Sequence, residues 1–251
     1  MTGKKERLIM AVIVAVAVVA LIGALVYSRT RPAVSAESDV TSVQSQPSAT
    51  AQLDPSSTDP ATVRFVKPVD RSTRTLFTGD SLTGGFYAPR VADGFSPLVA
   101  AALGPVENLS ASRSGASLTT VAGITEVPAD LDLAVIELGT NDVGLKTPLA
   151  EFESQYADLT QRIRTVSPNA AIVCAGAWGS PTDVDGYDAI IDRQCRDQGG
   201  SFVRLSAMFV DDTNRGPAGV TTEAGVSDLF HPNGLGHRRI ADAILSEIGI
   251  A

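Results

Sequence analysis

Histidine, cysteine and tryptophan are scarce in this sequence, with two, two and one among 251 residues. Asp228, His231 and His237 lie close together in the chain, but no fourth ligand accompanies them and their spacing fits no zinc pattern, so a metal centre is not expected. Neither Cys174 nor Cys195 has an adjacent His or a CxxC partner, which argues against thiol chemistry. Internal repeats are absent, as are clusters of Lys and Arg beyond the amino-terminal region. The net charge is −8, yet residues 1–31 hold five basic side chains against Glu6 alone, so they contribute +4 and the remainder carries −12. An acidic body of this kind is repelled by phosphate backbones, which argues against nucleic acid as a partner.

One long uncharged apolar run is present. Leu8 to Tyr27 comprises twenty residues, which at about 1.5 Å of rise each cross a hydrocarbon core of roughly 30 Å. A cleavable signal has only about 7–15 apolar residues, so the length predicts a retained transmembrane signal anchor. Val34-Ser35-Ala36 resembles a cleavage site and keeps secretion open as the alternative. Lys4, Lys5 and Arg7 favour a cytoplasmic basic segment at residues 1–7. Residues 28–62 are rich in Ser, Thr, Ala, Gln and Pro with little aliphatic clustering, a composition that cannot offset the entropy of folding and predicts a disordered stalk. Residues 63–251 then form one extracytoplasmic domain, long enough to bury roughly 70% of its unfolded surface. An oxidising compartment would let Cys174 and Cys195 pair, with two buried thiols as the alternative.

Within that domain, strand-like and helix-like segments alternate. Strands are predicted at Arg74–Thr78, Val106–Ser110, Leu133–Leu138, Ala171–Ala175 and Phe202–Leu205. Between and after them come a broken helix over about 84–103, a short helix near Leu118, and helices at Leu149–Val166, Tyr187–Asp197 and Gly236–Ile248. Five strands separated by helices imply an α/β fold with a mostly parallel sheet covered on both faces. Such sheets bind ligands at the carboxyl ends of their strands.

Four clusters fall at those ends. Strand one runs into Gly79-Asp80-Ser81, presenting a hydroxyl near unpaired backbone N–H groups. Strand two runs into Ser114-Gly115, and strand three into Gly139-Thr140-Asn141-Asp142. Near the carboxyl terminus Asp228 stands three residues before His231, so its carboxylate can orient the imidazole as a general base. Each cluster alone also reads as an ordinary turn. His237, with no acid three or four residues before it, reads as structural. Trp178 suits either a sugar or acyl contact or the core, Asp183 to Gly186 faintly resembles a calcium loop, and the aperiodic stretch from Met208 to Ser227 suits a substrate-side rim.

Taken together and in this order, the clusters resemble the four blocks of the SGNH (GDSL) hydrolases: a GDS serine, a glycine, a G-x-N-D asparagine and a D-x-x-H pair. The resemblance covers about residue 74 to the carboxyl terminus. It implies a flavodoxin-like three-layer sandwich, Ser81 as nucleophile, His231 as base and Asp228 as its orienting acid. An oxyanion hole would come from the backbone N–H groups of Ser81 and Gly115 and the side chain of Asn141. It also implies no metal or cofactor, and a substrate that is a small-molecule or glycan acyl ester. The Gly-x-Ser-x-Gly elbow of capped lipases is absent. The expected function is an extracytoplasmic serine esterase acting on short acyl esters, such as O-acetyl groups of cell-envelope glycans. An acyltransferase with the same triad and a non-catalytic envelope-binding protein are the alternatives.

Overall fold

The computed structural model describes residues 62–250. The expected anchor at residues 8–27 and nearly all of the expected stalk lie outside the described residues, and among the described residues no helix is long and apolar enough to cross a membrane. The element order begins β1 (Val63–Phe65), β2 (Thr73–Gly79), α1 (Phe95–Leu103), β3 (Val106–Ser112), α2 (Leu118–Ile124), β4 (Leu133–Glu137) and α3 (Thr140–Leu145). It continues through α4 (Leu149–Val166), β5 (Ala171–Ala175), α5 (Pro181–Asp197), β6 (Ser201–Val203) and α6 (Ser206–Phe209). A small hairpin, β7 (Thr221–Thr222) and β8 (Gly225–Val226), precedes α7 (Gly234–Ser246) and β9 (Ile248–Ile250).

Five strands form one parallel sheet in the order β3-β2-β4-β5-β6. This is the flavodoxin-like order, whose direction of winding reverses between β2 and β4. Alternation along each strand feeds two cores. On β4, Leu133 and Val135 face α1 and α7, packing with Phe95, Val99, Ile240 and Ile244. Ala134 and Ile136 face α2, α4 and α5, packing with Leu118, Phe152, Tyr156 and Ile191. The period of two on the strand and the spacing Phe152, Tyr156, Leu159, Ile163 on α4 therefore build a three-layer sandwich.

Helix α4 and strand β5 have the bounds expected from sequence. The broken helix over 84–103 resolves into turns and a 3-10 turn, with the helix starting only at Phe95. Gly85 at φ +73° and Tyr87 at φ +60° are left-handed and cannot continue a right-handed helix. Helix α5 begins at Pro181, six residues before the expected start, because proline suits a first helical turn. Asp183 and Asp185 are thus helical residues and form no calcium loop. The first and last described strands, β1 and β9, pair in parallel (Val63 with Ile248), clasping the two ends of the domain. Cys174 on β5 and Cys195 on α5 form a disulfide with Cα atoms 6.2 Å apart.

Candidate active site

At the sheet's carboxyl edge, β2 ends at Gly79, where a Cβ would lie 2.6 Å from the Glu137 carbonyl oxygen and collide with the Thr83 side chain. Only glycine lets the chain pass this close to β4 before turning to Ser81. A run of turns follows in place of the expected helix start: Gly84 N donates to Asp80 O at 3.1 Å and Phe86 N to Ser81 O at 3.0 Å. The Ser81 side chain thus emerges at the reversal between β2 and β4, the place where open α/β sheets bind ligands.

The loop between the β7–β8 hairpin and α7 brings the Asp-x-x-His pair to the serine from 150 residues away. His231 Nε2 lies 3.0 Å from Ser81 Oγ, and His231 Nδ1 lies 2.8 Å from Asp228 Oδ2. Asp228 Oδ1 accepts from the backbone N–H of Phe230 at 2.9 Å and of His231 at 2.8 Å, so a turn, not a helix, places the Asp228 carboxylate beside the His231 ring. Burial alone would raise the Asp228 pKa, but the hydrogen bonds from His231 and Phe230 outweigh it and hold the group below its ordinary value. An anionic Asp228 at this distance favours the tautomer with Nδ1 protonated, which turns the Nε2 lone pair toward Ser81 Oγ.

Several contacts hold this loop. Trp178 Nε1 donates to Phe230 O at 2.7 Å, and Arg215 donates to Leu229 O at 2.8 Å while its guanidinium lies 4.3 Å from the Phe209 ring centre. Asn233 caps α7 by accepting from Leu235 N and Gly236 N, which starts the helix just after the histidine. Trp178 is 1% exposed, so of its two expected roles the core role is the one the structure shows. Tyr87 meets the His231 ring edge-on at 4.9 Å between centres. Its ring also lines a cavity of about 450 Å³ bounded by Pro89, Pro217, Thr222, Leu235 and Arg238. The stretch from Met208 to Ser227 forms the end of α6, a 3-10 turn and the hairpin, and its residues Gly216, Pro217, Thr222 and Ser227 line that cavity.

The other two clusters sit on neighbouring strands. Arg113 N donates to Gly79 O at 3.2 Å, which ties the Gly115 turn to the strand end that carries Ser81. Gly115 itself has φ +70°, a left-handed conformation suited to glycine. Asn141 lies in the first turn of α3 and donates from Nδ2 to Asp80 Oδ2 at 2.9 Å. Asp142, from the same cluster, accepts from Leu118 N at 2.8 Å and Thr147 Oγ1 at 2.9 Å, and so joins α2 to α3. His237 is wholly buried. It accepts from Phe95 N at 3.3 Å through Nδ1 and meets Phe86 O at 2.9 Å through Nε2, and burial depresses its pKa to about 4. It is a neutral core residue away from Ser81, in agreement with its structural reading.

The fold is shared with solved structures of low sequence identity. The extracellular lipase from Streptomyces rimosus aligns with a TM-score of 0.55 and 19% identity over 70% of this chain and 100% of that one. The phospholipase A1 from Streptomyces albidoflavus NA297 aligns at 0.58 and 17%, over 70% and 100%. A family 3 carbohydrate esterase from Clostridium thermocellum aligns at 0.51 and 19%, over 69% and 93%. No curated protein sequence matches the chain. Residues 77–239 match the GDSL-like lipase/acylhydrolase family, a span that contains every cluster described above, and the chain belongs to that family of serine ester hydrolases.

Proposed function

We propose that Ser81, His231 and Asp228 are the catalytic triad of an esterase that removes short acyl groups from glycans outside the cytoplasmic membrane. The observation that carries the triad is the unbroken line from Ser81 Oγ to His231 Nε2 at 3.0 Å and from His231 Nδ1 to Asp228 Oδ2 at 2.8 Å. His231 takes the hydroxyl proton as Ser81 Oγ attacks the ester carbonyl. The negative charge that develops on the carbonyl oxygen is met by the N–H groups of Ser81 and Gly115 and by Asn141 Nδ2. Imidazolium then protonates the departing alcohol, leaving an acyl-serine. Water, deprotonated by the same imidazole, releases the acid and restores Ser81.

The substrate reading rests on the setting of the site. Tyr87 stands between the histidine that protonates the alcohol and a cavity lined by Thr222 and Arg238 as well as apolar residues, a mixture suited to a sugar ring. A carbohydrate esterase shares the fold. The disulfide between Cys174 and Cys195 suits an oxidising compartment, the setting expected from the uncharged apolar run Leu8 to Tyr27. The test has two arms. Catalytic efficiency on p-nitrophenyl esters should fall as the acyl chain lengthens from about two to twelve carbons, and wild type but not Ser81→Ala should release acetate from isolated wall polysaccharide. A preference for long chains with no release from the wall overturns the glycan assignment, and hydrolysis by Ser81→Ala at the wild-type rate overturns the triad.

A further inference from the structure

The mechanism above leaves unused the two most deeply buried acids beside the serine. Asp80 is 1% exposed and Glu137, at the end of β4, is 0% exposed. Glu137 Oε2 accepts from Thr83 N at 3.2 Å and Thr83 Oγ1 at 2.9 Å, with Asp80 N at 3.5 Å, whereas Oε1 is buried with no donor. Glu137 therefore lies against the backbone N–H of Asp80, and both acids are enclosed at the same strand ends. Asp80 in turn accepts from Leu82 N at 3.0 Å through Oδ1 and from Asn141 Nδ2 at 2.9 Å through Oδ2.

We propose that Asp80 and Glu137 are positioning residues, a buried pair of acids whose task is to orient the Asn141 amide toward the reacting carbonyl. This rests on the reading of Asn141 as an oxyanion donor. An asparagine amide can turn over about χ2 at little intrinsic cost, exchanging its donor end for its acceptor end. A carboxylate only accepts, so Asp80 Oδ2 admits the NH₂ end and rejects the oxygen. One N–H is used in that contact and the second stays unclaimed for the substrate. Two carboxylates this close and this buried cannot both be charged. Burial and the Asp80 charge push the Glu137 pKa well above its ordinary range, so Glu137 keeps the proton. Burial also raises Asp80, but the Leu82 N–H and the hydrogen bond from Glu137 limit the rise.

The two acids make opposite demands on substitution. Asp80→Asn must present an NH₂ group to either Leu82 N–H or the Asn141 amide, so one contact is lost. Glu137→Gln reproduces the protonated acid: its oxygen can accept from Thr83 and its NH₂ can donate to Asp80. Glu137→Met keeps the bulk and provides neither. The experiment measures kcat and KM on p-nitrophenyl acetate with the purified full-length protein, alongside thermal midpoints. Asp80→Asn should lower kcat by about 10- to 100-fold with KM within about twofold, but by less than about threefold when Asn141 is already Ala. Glu137→Gln should stay within about threefold of wild type, and Glu137→Met should lose about tenfold or more in kcat. Equal losses from Asp80→Asn in both backgrounds, or equal damage from Glu137→Gln and Glu137→Met, overturns the inference. If Asp80→Asn fails to fold, the Glu137 pair alone decides. An Asn141→Ala enzyme with unchanged kcat overturns the oxyanion reading beneath it, a separate and recognisable result.

Discussion

Trp178 donates its indole N–H to the carbonyl of Phe230 at 2.7 Å, and the next residue is His231. The indole follows β5 and its backbone N–H is held by Thr140 Oγ1 at 2.9 Å, so the position of the histidine loop is set by a rigid edge of the sheet. Trp178→Phe keeps most of the buried apolar surface and removes the donor. It should lower kcat by about tenfold, because a misplaced base costs rate more than binding, and stability by about 1–2 kcal/mol for the unsatisfied carbonyl. Steady-state kinetics and urea unfolding of the variant check both figures. An unchanged kcat would mean the loop is held by Arg215 and Asn233 alone.

The two histidines should separate cleanly in kinetics. His231→Ala removes the only imidazole within hydrogen-bonding distance of Ser81 and should lower kcat by about 10⁴ or more. His237→Gln, in the core, should leave kcat within about threefold. A reversed pattern would move the base to His237.

The same buried histidine should impose an acid sensitivity on folding. Its pKa falls to about 4 in the fold through burial, against about 6.5 in the unfolded chain, so the unfolded state binds the extra proton between those values. Its contribution is complete above pH 6.5 and is lost as pH falls toward 4, about 3 kcal/mol in all. Buried carboxyls such as Asp188, pushed by burial up to about 6, act in the opposite direction. The quantity to measure is therefore the stability of wild type minus that of His237→Gln, which should shrink steadily from pH 7 to pH 4. A difference independent of pH would refute the assignment of a neutral imidazole.

Joining Cys174 to Cys195 closes a loop with a sequence separation of 21. By the chain-entropy account this contributes about 3 kcal/mol, so Cys174→Ala/Cys195→Ala should unfold about 6–12 °C lower than the oxidised wild type. Neither sulfur approaches Ser81 through any bond described above, so kcat at 25 °C should be unchanged. Two free thiols in non-reduced mass analysis of exported protein would dismiss the pairing.

The strands and long helices were legible because their signals are local. Ile172 and Val173 make β5 an apolar run, and Phe152, Tyr156, Leu159 and Ile163 repeat at helical spacing whatever they pack against. Strands β1 and β9 were not legible, since three residues such as Val63–Phe65 carry no period and become a strand only when the other end of the domain arrives beside them. The turns after Ser81 misled for a related reason. Residues 84–103 contain apolar spacing that suits a helix, while the left-handed conformations of Gly85 and Tyr87 leave no mark in that spacing.

By itself the sequence determined the family, the sandwich, and which serine, glycine, asparagine, aspartate and histidine are candidates, because those residues occupy short blocks at strand ends whose order survives in the chain. The tertiary structure alone decided what holds them. Asp80 is 61 residues from Asn141, Glu137 is 57 from Asp80, and Trp178 is 52 from Phe230. Hydrogen bonds across such distances depend on how separate strands are ordered in a sheet and how tightly their ends are packed. Burial then changes the chemistry of what it encloses: beside Ser81 it pushes upward the pKa values of an aspartate and a glutamate that would both be charged in water.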